Sequence, residues 1–124
     1  MARILVVDDD PQVAGIVSRI LEHGGHEVRV ATDGRAAVRI HREEPADLVI
    51  TDVFMPGQDG IETILQLHAE FPGLKIIVMS GGAQGAHAKP LEDARLLGAT
   101  RTLAKPFSPD TLISTVQELL AHED

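Results

Sequence analysis

"DLVITDVFMPGQDG", residues 47–60, joins two unlike pieces of chain. Leu48, Val49 and Ile50 form a short continuous apolar run, which reads as a strand buried on both faces. The run ends at Thr51 and Asp52, and a loop rich in Met, Pro and Gly follows. Asp is a common turn residue, so Asp52 alone decides little. Its meaning depends on what stands at the ends of the other strands.

Outward from this stretch the same pattern repeats. "RILVV" (3–7) and "KIIVM" (75–79) are further apolar runs, while "HEVRVA" (26–31) alternates like an edge strand and "RTLA" (101–104) is short enough for the opposite edge. Helical stripes separate them. Val13, Ile16, Val17, Ile20 and Leu21 recur at i, i+3, i+4, i+7 and i+8 over 11–23. Asp10-Pro11 opens that helix as N-cap and first helical residue, and Gly24-Gly25 closes it. Further helices are expected at about 34–43, 60–70, 90–97 and 109–122, the last opened by Ser108-Pro109. Five β-α units in strict alternation predict an α/β fold: a mainly parallel sheet, doubly wound, with helices on both faces and right-handed crossovers. Residues 1–124 are expected to be one domain, without signal peptide or second domain.

Composition narrows the function. The 124 residues carry a formal net charge of −8, with three Phe and no Trp or Tyr. Phosphate neutralisation and base stacking are both poorly served, so direct nucleic-acid binding is not expected. No stretch nears the ~20 apolar residues of a membrane span. With no Cys, disulfides and thiolate metal sites are excluded. A cytoplasmic location fits these features.

In an open α/β sheet, ligands bind beyond the carboxyl ends of the strands. Asp8, Asp9 and Asp10 follow the first strand, Asp52 ends the third, Ser80 with Gly81 and Gly82 follows the fourth, and Lys105 with Pro106 follows the fifth. An acidic helix-capping turn would also produce "DDD", and Asp10 reads as only that. Asp8, Asp9 and Asp52 in one pocket repel by roughly 1 kcal/mol per pair in water at ~4 Å, and ~4 at a dielectric of 20. Lys105 and a hard divalent cation would offset that repulsion, and Mg²⁺ suits one or two carboxylates plus a phosphoryl oxygen. Beside such a cation Asp52 is a candidate nucleophile toward phosphorus, with Ser80 and Lys105 placed to hold the transferred oxygens.

With "ILVVDDDP" (4–11), "DVFMPGQDG" (52–60), "MSGG" (79–82) and "LAKPF" (103–107) in this order, the chain resembles a response-regulator receiver domain of two-component signalling over essentially its whole length. The resemblance implies a flavodoxin-like sheet of order 2-1-3-4-5. It implies that Asp52 accepts a phosphoryl group from a phosphohistidine on a sensor histidine kinase or a histidine phosphotransfer protein. Mg²⁺ would be bound by Asp9, Asp52 and the Phe54 backbone carbonyl, with Asp8 acting through water. Ser80 and Lys105 would contact the phosphoryl oxygens. The signal would leave toward a protein target through the face of the fourth helix, fifth strand and fifth helix. Two features depart from the family pattern. Thr102 stands where members usually carry Tyr or Phe, and "SGGAQGAHAKP" (80–90) makes the following loop about three residues longer. The loop, in place of an aromatic, is therefore expected to be the moving part.

Three functions compete. A phosphoacceptor switch needs every candidate above, and none is missing. A phosphorylation-independent binding module of the same fold would be signalled by a lost Asp, hydroxyl or Lys. A phosphatase with an aspartyl intermediate typically needs a second Asp two residues after the nucleophile, and that position is Phe54, which transfers no proton. The switch is the reading expected, without enzymatic turnover beyond slow loss of its own phosphate. The Phe54 side chain is expected to slow that loss by excluding water.

Overall fold

The computed structural model describes residues 2–52, 60–80, 100–104 and 107–121. In chain order these form β1 (Arg3–Val7), α1 (Pro11–His23), β2 (Glu27–Ala31), α2 (Gly34–Glu43), β3 (Leu48–Asp52), α3 (Gly60–Glu70), β4 (Lys75–Ser80), β5 (Arg101–Ala104) and a C-terminal helix (Pro109–Ala121). The elements fall where the apolar periodicity puts them. The expected helix at 90–97 and the loop at 80–90 lie outside the described residues, save Ser80 at the end of β4.

All neighbouring strands pair in parallel, in the order β2-β1-β3-β4-β5. Alternation along each strand divides the core between two faces. Ile4, Val6, Leu48, Ile50, Ile77 and Met79 face Ala14, Val17 and Leu21 of α1 and Leu112, Val116 and Leu119 of the C-terminal helix. Leu5, Val7, Val49, Ile76 and Val78 face Ala37 and Val38 of α2 and Ile64 and Leu67 of α3. The three inner strands, β1, β3 and β4, are nearly sealed from water because they are covered on both sides. On the edge strand β2, by contrast, Val30 is 42% exposed.

Caps fix where the helices begin and end. Asp10 is the N-cap of α1, its Oδ1 accepting from the Gln12 N–H at 2.9 Å, with Pro11 in the first turn. Asp33 caps α2 through the Ala36 N–H at 2.8 Å. Ser108 Oγ accepts from the Thr111 N–H at 3.1 Å to open the C-terminal helix. Gly25, at φ 91°, supplies the left-handed turn after α1 that other residues resist. The Lys75 ammonium, at the start of β4, donates to the Leu119 carbonyl near the end of the C-terminal helix. A cation there also meets the negative end of the helix dipole.

Candidate functional site

Strand order reverses between β1 and β3: the chain leaves β1 for β2 on one side and returns to β3 on the other. A crevice at the carboxyl ends follows from that reversal. In the β1–β3 register Val7 lies beside Thr51. One residue further along each strand brings Asp8 and Asp52 to the same place. Short strands and a tight β1–α1 turn do the rest, and one carboxylate oxygen each from Asp8, Asp9 and Asp52 lies within 4.8 Å of the others.

The three carboxylates differ in setting. Asp8 is 1% exposed; its Oδ1 accepts from the Asp10 N–H at 2.9 Å, and its own N–H donates to the Ala31 carbonyl at 3.1 Å. The turn that holds Asp8 in place thus also launches α1. Asp9 is exposed and Asp52 partly buried at the end of β3. Asp10 serves as the cap of α1, as its sequence context implies. Three anionic oxygens at this spacing form a hard donor set, suited to a hard cation such as Mg²⁺ and unsuited to soft metals. At 4.8 Å each pair of charges repels by about 3.5 kcal/mol at a dielectric of 20, which a divalent cation would reverse.

Ser80 falls on the same edge of the sheet. In the β3–β4 register Asp52 lies beside Met79, so Ser80 is one backbone step beyond it, opposite Ala104 of β5. Lys105 follows Ala104 directly in sequence. Lys105 and Phe54 lie outside the described residues. Thr102 sits in β5 beside Val78 and is partly buried.

Among the buried polar side chains that the sequence reading did not single out are Thr51 and His41. Thr51 is fully buried, and its hydroxyl donates to the Asp52 carbonyl at 3.1 Å. His41, at the end of α2, is 2% exposed. Its ring packs edge-on against Phe71 at 4.4 Å, and its Nδ1 accepts from the Ala46 N–H at 3.1 Å. Burial holds the His41 pKa below its ordinary value. An acceptor at Nδ1 puts the proton of the neutral ring on Nε2. For Thr51 a signal did exist: a hydroxyl in a run of Leu, Val and Ile, immediately before the candidate nucleophile. For His41 none did, because its partners are set by the packing of α2 on the following connection.

The sheet order, the reversal and the acidic crevice define a class: flavodoxin-like α/β proteins with a carboxylate site at the switch point. The sequence pattern of the response regulator receiver domain matches residues 4–117, and the chain belongs to that family. It is 34% identical to Protein PilH of Pseudomonas aeruginosa over 98% of this chain and 99% of that protein. It is 31% identical to the probable transcriptional regulatory protein TcrX of Mycobacterium tuberculosis, over 94% of this chain but only 49% of TcrX. The chain thus spans nearly all of one relative and about half of the other. The crystal structure of the receiver domain of NtrX from Brucella abortus superposes with a TM-score of 0.91 at 30% identity, over 97% of this chain and 99% of that one. Among the described residues, no helix is long and apolar enough to cross a membrane.

Proposed function

We propose that this receiver domain is a phosphoacceptor switch in which Asp52 takes a phosphoryl group from a phosphohistidine on a sensor histidine kinase or a histidine phosphotransfer protein. The convergence of Asp8, Asp9 and Asp52 within 4.8 Å carries this reading. An Asp52 carboxylate oxygen attacks phosphorus, the new O–P bond forms as the P–N bond to the donor imidazole breaks, and the electron pair returns to that ring nitrogen, which takes a proton. Asp8, Asp9 and Asp52, with the Phe54 carbonyl, would hold Mg²⁺. Bound there, the ion supplies charge neutralisation on the phosphoryl oxygens and among the carboxylates.

The chain's own part is positioning. The register of β1 against β3 fixes Asp52 against Asp8, and the capped turn at Asp10 fixes Asp8. Ser80 and Lys105 would take the transferred oxygens. Phe54, where an acid/base Asp would serve a phosphatase, leaves the acyl phosphate to slow hydrolysis, so the protein acts as a switch and not as an enzyme. Phosphorylation biases one of two conformations by binding it better. The net charge of −8 favours protein targets over nucleic acid as the recipients of the signal, and the cytoplasm is the compartment that suits such a switch.

The test is direct. Incubation with Mg²⁺ and a small acyl phosphate should add the mass of one phosphoryl group to the wild-type chain and none to Asp52→Asn. A folded wild-type chain that gains nothing would point instead to a phosphorylation-independent binding module.

A further inference from the structure

Thr51 occupies a slot built for valine. In the sheet its neighbours on either side are Val7 of β1 and Val78 of β4. Both belong to the apolar cluster under α2 and α3, and Thr51 itself is fully buried. Valine has nearly the same shape and no polar atom to desolvate. A buried hydroxyl without a partner is costly, so its presence is informative only through the bond it makes. That bond runs to the carbonyl of the next residue, from Thr51 Oγ1 to Asp52 O at 3.1 Å. Local bonds of this kind give a backbone group a side-chain partner besides the regular ladder and help set the course of the chain. Here that group is the carbonyl of the candidate nucleophile, at the point where β3 stops.

We propose that Thr51 is a positioning residue for Asp52: its hydroxyl fixes the peptide that leaves Asp52, and so holds the carboxylate in line with Asp8 and Asp9 for phosphoryl transfer. The proposal rests on Asp52 being the phosphoacceptor. The hydroxyl touches neither phosphorus nor metal; it acts only through the Asp52 backbone. Misplacement by about 1 Å can slow a positioned reaction ~100-fold, and loss of one hydrogen bond to a strand end should cost less, about tenfold.

Two readouts on Thr51→Val and Thr51→Ser test it. The first is the carbonyl-carbon resonance of Asp52 in the free protein. It should move upfield in Thr51→Val, where the donor is gone, and stay near wild type in Thr51→Ser. The second is the maximal rate of phosphorylation by a small acyl phosphate at saturating Mg²⁺. It should fall about tenfold in Thr51→Val and lie within about twofold of wild type in Thr51→Ser. An unshifted resonance in Thr51→Val, or a Thr51→Val rate equal to the wild-type rate of phosphorylation, would overturn the positioning role and leave the reading of Asp52 intact. Equal slowing in Val and Ser variants would also overturn it, since Ser keeps the hydroxyl and the packing of this buried position, not the donor, would then matter. Failure of the wild type to take phosphate would remove both. If Thr51→Val does not fold, Thr51→Ala against Thr51→Ser makes the same comparison.

Discussion

The two ends of this one sheet treat charge in opposite ways. At the amino end Glu27 and Glu44 meet arginines. Arg3 Nε lies 3.2 Å from Glu27 and its Nη1 3.8 Å from Glu44, while Arg29 also pairs with Glu44. Asp47 accepts the Arg3 N–H at 2.9 Å. At the carboxyl end three carboxylates gather within 4.8 Å of one another. The first arrangement lowers electrostatic energy wherever the side chains happen to rest. The second raises it, and survives because the register of β1 against β3 and the cap at Asp10 impose it. Charge placed against its own repulsion by paired strands and a capped turn marks a candidate site, whereas charge paired at the rim marks a surface.

The sharpest way to break this contrast is to remove Asp52. Asp52→Asn should abolish phosphorylation by acyl phosphate while leaving a folded protein, as read by mass and circular dichroism. Next in size is the response to Mg²⁺. At a concentration a hundred times its dissociation constant the ion should add about 2.7 kcal/mol of stability, measured by urea unfolding and reversed by a chelator. Asp9→Asn should lose most of that gain. Without Mg²⁺ the same variant should be about 2 kcal/mol more stable than wild type, because the exposed Asp9, in a water-like dielectric, no longer repels two carboxylates at about 0.9 kcal/mol each.

A third effect belongs to His41, behind the amino end. Its folded pKa is lowered by burial, so the unfolded chain binds a proton that the folded one refuses. Stability is then level above about pH 6.5 and falls as the pH drops below it, by at most about 1.4 kcal/mol per unit from this group. His41→Gln, whose carbonyl can still accept a hydrogen bond, should flatten that part of the curve; an unchanged slope would show that other groups cause it. Smallest of all is Arg3→Ala. It removes two exposed ion pairs and should cost no more than about 1 kcal/mol, with phosphorylation unchanged. A large loss of phosphorylation there would erase the distinction between the two ends.

The same contrast explains what could be read from the sequence. Strand runs such as "RILVV" and the start signals Asp10-Pro11 and Ser108-Pro109 are local physics, so the described elements and their order were legible. So was the gathering of Asp8, Asp9 and Asp52, because strand ends in a parallel sheet share one edge. Periodicity, however, does not give the width of a buried stripe. Ile16 of α1 and Leu65 of α3 lie in their helices' apolar patterns yet are 58% and 46% exposed. Val30 is open to water because no strand follows β2, a fact of topology and not of its own alternation. The Thr51 hydroxyl and the His41 ring gain their roles from three-dimensional partners that spacing does not encode.

The claim at the centre is that the imposed acid cluster is a phosphoacceptor site and that Asp52 is its acceptor. Peptide mapping after reaction with Mg²⁺ and a small acyl phosphate tests this most directly. The account predicts one phosphoryl group, on the peptide that carries Asp52, formed with Mg²⁺ and not after chelation. A phosphoryl group on any other residue, or equal labelling of Asp52 without Mg²⁺, would contradict it.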